Sequence, residues 1–342
     1  MTTQSRPKRA SLADVAKLAG VSSQTVSRVV RGAGVVADDT RQRVLAAVQQ
    51  LAYQPNLAAR SLSQSRTGVI HVINATPLFH GHARTFLEIV GALGELGFQT
   101  SSSLVPFDEE ISLSRLIPIG VDGVVILGGH SRSSQWAEVA HTQVPVIFVG
   151  QRFGLHDSIS TVAVDQRHGA WLATRHLIES GRTNLLHICG PADWLDARER
   201  RDGFLMACAD AGIGYQKLSS PTWDAAEGYV LAAEIPDDVD GVFASNDQLA
   251  LGVMRRLHEA GRRIPEDVAV VGFDDADGSH CFWPPLTTVR QPFSEVGHAA
   301  VAQLVNLIEG GEADHTLINP SLVVRSSTPA PTKARRASKG KK

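Results

Sequence analysis

Cysteine is scarce in this chain of 342 residues, with only Cys189, Cys208 and Cys281. They fall in no metal-binding or redox spacing and leave one over, so a disulfide framework is excluded and buried, reduced thiols are expected. Long apolar runs are missing as well. None approaches the roughly 18 residues of a membrane-spanning helix, and the N-terminus has no apolar signal-peptide core. A cytoplasmic protein without membrane association is the expectation. There is no GxxxxGK[ST], no HExxH and no CxxC, and the histidines form no catalytic spacing. No metal or other cofactor is expected. Aspartates are numerous near strand ends, so composition leaves room for a hydrolase, but nothing points to one.

What the chain does have is apolar content of 43% and a divided charge. Its length suggests two to three folding units. Residues 1–66 carry ten Lys/Arg against three Asp/Glu, residues 67–325 carry 17 against 32, and residues 326–342 carry six against none. The segments are therefore net +7, −15 and +6, which sum to the −2 of the whole chain. Basic ends on an acidic middle suggest a head that meets nucleic acid and a separate body that phosphate would repel.

The stretch Ser11 to Arg31, SLADVAKLAGVSSQTVSRVVR, gives that head a form. Leu12, Val15, Ala16 and Ala19 make a helical stripe that stops at Gly20, and Ser11 with Asp14 reads as a capping box. After the Gly20-Val21 break, Ser22 can cap a second helix that turns Val26, Val29 and Val30 inward. Two short helices around a glycine turn form a helix-turn-helix. The second helix shows Ser23, Gln24, Ser27 and Arg28 outward, side chains able to reach base edges in a major groove. An ordinary helical hairpin with a polar surface is the alternative. Asp38 and Asp39 then sit at the positive start of a third helix, with Val44, Leu45, Val48 and Leu51 expected inward.

From Thr67 onward short apolar strands alternate with helices. Strands are expected at 69–73, 123–127, 144–149, 160–164, 185–189, 241–244 and 268–273, with helices at 83–97, 169–180, 200–211 and 248–260. This alternation predicts two α/β halves with parallel sheets and a cleft at the strands' carboxyl ends. Candidate ligand groups lie at such ends: Asn246 after 241–244, Asp274 after 268–273, Arg200 at a helix start, Trp223 in a loop and Gln291 at a crossover. Carboxylate, amide and guanidinium suit paired sugar hydroxyls, and an aromatic plate suits the C–H face of the ring. Asp or Asn after a strand is equally a helix cap or turn residue. Asp247 is expected to cap the helix from Gln248.

The segment DVAKLAGVSSQTVSRVV, with VFASNDQLALGVMR, VAVVGFDD and PPLTTVRQPF, resembles the lactose/galactose repressor (LacI/GalR) family over nearly the whole chain. The resemblance implies a helix-turn-helix headpiece on a periplasmic-binding-protein-like core, and a sugar-responsive repressor rather than an enzyme. Its partners would be pseudo-palindromic operator DNA, a small-molecule sugar effector and a second copy of the chain. The missing signal sequence and the headpiece speak against a secreted sugar receptor. The implied division is a headpiece at 1–55, a hinge helix at 56–66, a core at 67–328 and a disordered basic tail at 329–342. Within the core, one subdomain would take about 67–164 and 292–320, the other about 165–291 and 321–328.

By resemblance the DNA-binding set is Ser11, Ser22, Ser23, Gln24, Thr25, Ser27 and Arg28, joined by the hinge residues Asn56, Ala59, Arg60 and Leu62. Leu62 would wedge into the central base step of the minor groove. The tail carries no leucine heptads, which favours a homodimer over the family's tetramers. The effector set becomes His80, Gln151, Arg200, Trp223, Asn246, Asp274 and Gln291. Two departures stand out. Gln151-Arg152 follow the strand where the lactose-repressor branch has an Asp, and Ser23 replaces a large aromatic, which predicts a different operator.

Overall fold

The computed structural model describes residues 10–31, 36–53, 66–74, 79–105 and 117–329. The chain separates into two units, 1–67 and 68–342. The hinge candidates Asn56, Ala59, Arg60 and Leu62 and the tail beyond Pro329 lie outside the described residues.

In the first unit, α1 (Leu12–Ala19), α2 (Ser23–Arg31) and α3 (Asp38–Gln50) enclose Val15, Ala16, Ala19, Val26, Val29, Val44 and Ala47. The capping box at Ser11 is formed in both directions: Ser11 Oγ accepts the Asp14 N–H at 3.2 Å, and Asp14 Oδ2 accepts the Ser11 N–H at 2.8 Å. Gly20 ends α1 with φ 66°, a left-handed conformation that favours glycine. Ser22 Oγ accepts the Thr25 N–H at 3.1 Å and opens α2. Asp38 and Asp39 occupy the first turn of α3. Leu45 is the correction here, being 50% exposed. The inward stripe of α3 runs Val44, Ala47, Val48, Leu51, and Leu45 sits about 100° around the helix from it.

The second unit holds two six-stranded sheets. The first comprises β1 (Val69–Asn74), β2 (Gln99–Leu104), β3 (Gly123–Leu127), β4 (Val146–Val149), β5 (Ser160–Val164) and β11 (His315–Ile318). Its order is β11-β5-β4-β3-β1-β2, with every pair parallel. The second comprises β6 (Leu185–Cys189), β7 (Tyr215–Ser219), β8 (Gly241–Ala244), β9 (Ala269–Asp274), β10 (Thr287–Arg290) and β12 (Ser321–Val323). Its order is β12-β10-β9-β8-β6-β7, parallel except for β10 with β12. Central strands such as β3 and β6 are buried along their whole length, as a sheet covered on both faces requires.

Helices α4 (His80–Glu95), α5 (Ser133–His141) and α10 (Phe293–Ile308) cover the first sheet. Helices α6 (Gln166–Glu179), α7 (Leu195–Ala211), α8 (Ala225–Leu231) and α9 (Asp247–Glu259) cover the second. The chain passes between the sheets after β5, after β10 and after β11. Helix starts come earlier than expected because their caps lie upstream. Asp165 caps α6 by accepting the His168 N–H at 2.8 Å, and α7 begins at Leu195, placing Arg200 in its second turn. Cys189 and Cys208 are buried, and burial pushes both thiols up to about 11; Cys281 is exposed, against expectation. Among the described residues no helix is long and apolar enough to cross a membrane.

Candidate nucleic-acid interface and small-molecule cleft

On the headpiece, Ser23, Gln24 and Arg28 project from α2 and are exposed, while Ser27 is half-buried. Ser22 and Thr25 are occupied with each other, their hydroxyl oxygens 2.9 Å apart. Ser11 Oγ donates to Asp14 Oδ2 at 2.6 Å. Ser11 and Ser22 therefore act as caps and Thr25 is tied to Ser22, while Ser23, Gln24 and Arg28, with the half-buried Ser27 beside them, make the outward face of α2.

Between the two sheets of the second unit lies a cleft with about 690 Å³ of empty space, its open mouth included. Its two walls differ. The first-sheet side contributes Leu127, Val149, Val162, Val164, Phe293 and Val296, whereas the second-sheet side contributes Arg200, Asp274, Gln291, Gln166, Asp196 and Asn246. Arg200 is the hub. Its Nε donates to Gln166 Oε1 at 2.8 Å, a terminal nitrogen donates to the Ser245 carbonyl, and another lies 3.3 Å from Asp274 Oδ1. Gln166 Nε2 donates to Gln291 Oε1 at 2.8 Å, and Gln291 Nε2 returns to Asp274 Oδ1 at 2.7 Å. All four side chains are buried. Burial pushes the Asp274 carboxyl up, while Arg200 and the Gln291 amide pull it back down.

Aromatic side chains close the inner end. The Arg200 guanidinium stacks over Phe273 at 3.9 Å and lies 5.5 Å from the Trp223 ring. Trp223 meets Trp194 edge-on at 5.7 Å, and Trp194 meets Phe79 at 5.5 Å. Gly190 makes the seat for Trp223, because a Cβ there would come within 2.4 Å of the indole. The Trp223 Nε1–H is buried and has no hydrogen-bond partner among the described residues. A buried donor left unmatched costs about 1–3 kcal/mol, which a ligand oxygen would recover.

Six of the seven candidate cleft residues come together here: Gln151, Arg200, Trp223, Asn246, Asp274 and Gln291. His80 does not line the cleft; its ring meets Phe293 at 6.1 Å. Instead His82, two residues on, enters the wall and approaches the Gly128 carbonyl at 3.2 Å. Burial lowers the His82 pKa and favours the neutral ring. Gln151 donates to the Val164 carbonyl at 2.7 Å, tying the wall to the strand β5 crossover. Arg152 pairs with Asp157 in the neighbouring loop.

The helix-cap role assigned to Asp247 from sequence falls to its neighbour. Asn246 is the helix cap, accepting the Leu249 N–H at 2.8 Å and donating to the Trp223 carbonyl at 3.1 Å. It lines the cleft as well. Asp247 is no cap and is fully inside. Sequence reading passed over Gln166, Asp196, Trp194 and His82. Gln166 and Asp196 sit in the first turns of helices that start at the cleft, and that position was the available signal.

Residues 11–56 match the family model described as "Bacterial regulatory proteins, lacI family", and residues 174–328 match the "Periplasmic binding protein-like domain". The HTH-type transcriptional regulator CelR of Thermobifida fusca is 34% identical over 337 residues, spanning 94% of this chain and 99% of that protein. A solved CelR–cellobiose complex superposes with a TM-score of 0.70 at 32% identity, covering 93% of this chain and 100% of that one. A lac repressor dimer bound to operator and the anti-inducer ONPF superposes with a TM-score of 0.81 at 30% identity, covering 94% and 100%.

Proposed function

The chain belongs to the lacI family of bacterial regulatory proteins, DNA-binding transcription regulators rather than enzymes, and we propose how its two sites divide the work. The α2 residues Ser23, Gln24, Ser27 and Arg28 read base edges in the major groove of an operator half-site. Two copies of the chain bind a pseudo-palindromic operator, with Asn56, Ala59, Arg60 and Leu62 in the minor groove at its centre. A sugar in the cleft shifts the balance between binding and released states. Such coupling is typically worth about 1–3 kcal/mol.

In the cleft, Asp274 accepts from vicinal hydroxyls with its free Oδ2, because Oδ1 is already engaged by Gln291 and Arg200. Arg200 and Asn246 bridge neighbouring hydroxyls, Trp223 covers a C–H face, and Gln151 and Gln291 close the rim. The single observation that carries this reading is the buried Arg200–Asp274–Gln291–Gln166 chain beneath a tryptophan whose N–H has no partner. His80 belongs beside this set through Phe293, not within it.

A thermal-shift screen of mono- and disaccharides, with cellobiose first because the related CelR structure holds it, finds the effector. Gel shifts with and without the hit then read the coupling. Losing a hydrogen bond to a charged group costs about 1.5–3 kcal/mol, so Asp274→Asn should weaken effector binding about tenfold or more. Operator affinity without ligand should stay unchanged. Normal sugar binding by that variant, or early melting with loss of DNA binding, would overturn the assignment.

A further inference from the structure

We propose that Asp247 is a positioning residue for the cleft: its buried carboxyl clamps the turn that aims Asp274 at the effector. The inference rests on the reading of Asp274 as an effector contact. Asp247 opens α9 and is 1% exposed. Its side chain lies beneath β9, where a Cβ on Gly272 would come within 2.2 Å of Oδ1. Glycine at 272 is what admits the carboxyl.

Both oxygens are used. Oδ2 accepts the Ala276 N–H at 2.7 Å, and Oδ1 accepts the Thr288 hydroxyl at 2.5 Å. The same hydroxyl accepts the Asp275 N–H at 3.3 Å. Asp247 therefore holds, directly or through Thr288, the two amides that follow Asp274. The held residues need it, since Asp274 and Asp275 have φ of 111° and 50°. Positive φ in a residue other than glycine is strained and persists only where the surroundings over-determine it.

The charges around Asp247 are of one sign. Asp274 and Asp275 face it, Arg200 is engaged by Asp274, and Arg290 and Arg325 are engaged by Asp275. Among the described residues no cation pairs with Asp247. Burial first, and the Asp274 charge second, push its carboxyl up to about 8. Burial and the Asp274 charge thus favour the protonated form, while the hydrogen bonds from Ala276 and Thr288 favour the carboxylate. The folded form holds its proton more tightly than the unfolded chain does. The stability this lends is present below the ordinary carboxylate range and is lost as pH rises to about 8.

Hydrogen exchange of the full-length protein tests this without any ligand. In Asp247→Ala the Ala276 amide should lose protection about tenfold, the loss of one hydrogen bond. Asp247→Asn keeps an acceptor for Ala276 and offers its amide to Thr288, so it should retain most of that protection. Unchanged protection in Asp247→Ala overturns the proposal. So does a loss spread over β8 and α9, which would mark a general packing role. A cellobiose titration of Asp274→Asn and Asp247→Asn, followed by Trp223 fluorescence, is read separately. If Asp274→Asn binds normally, the cleft assignment fails while the exchange result stands.

Discussion

Two neighbouring side chains of nearly the same shape, an amide and a carboxyl, take different roles at one helix start. Asn246 and Asp247 are neighbours at the start of one helix. The amide caps the helix and supports Trp223, while the carboxyl turns inward beneath the adjacent strand. An amide can cap and donate at once, which a carboxylate cannot. That is why the asparagine holds the position with one foot in the cleft. On α2 the same accounting separates caps from readers: Ser22 and Thr25 satisfy one another, whereas Gln24 is exposed with its amide uncommitted. Gln24→Ala should relax discrimination at one operator position by about 1–3 kcal/mol. Competition gel shifts with single-base operator variants check this. Equal loss on operator and random DNA would instead identify Gln24 as a phosphate contact.

At the scale of elements, the helix crossings in the second half are set by glycines rather than by ridges of large side chains. A Cβ on Gly252 of α9 would sit 1.9 Å from the Ala225 carbonyl oxygen, and one on Gly228 of α8 would sit 2.3 Å from the Leu249 carbonyl oxygen. Each glycine admits the other helix's backbone. Gly203 of α7 does the same against Arg167 of α6, at 2.1 Å. Gly252→Ala must push α8 away, and overpacking of this kind costs about 1–3 kcal/mol. A lower Tm, with α8 the first element to lose exchange protection, is the expected result; an unchanged melting curve would contradict it. Pattern in the sequence carried the elements with strong signals: the Ser11–Asp14 capping box, the glycine stop at Gly20 and the wholly apolar strands β3 and β6. It missed the edge strands β2, β7, β11 and β12, which have one solvated side and lack a long apolar run, and also the short strand β10 and the helices α5, α8 and α10. Within the cleft, residues at strand ends were legible. Gln166, Asp196 and Trp194 were not, since they enter from helix starts whose register only the fold decides.

For the molecule as a whole, the division of charge sets how the two units meet their partners. Residues 1–66 are net +7 and residues 67–325 net −15. An acidic core repels DNA, so the electrostatics favour contact through the basic ends of the chain. The Lys- and Arg-rich stretch at residues 330–342 adds six further positive charges. If it acts as an electrostatic tether, each phosphate it neutralises releases a counterion and steepens the salt dependence by about 0.9 in the slope of log K against log salt. Deleting residues 330–342 should therefore shallow that slope, weaken random-DNA and operator binding by similar factors, and leave the order of preference among operator variants intact. Fluorescence anisotropy across a salt series, on operator and on random duplex, measures both quantities. A truncated protein with the same slope would place the tail away from DNA. One with a changed order of preference would show that the tail reads sequence and that α2 does not act alone.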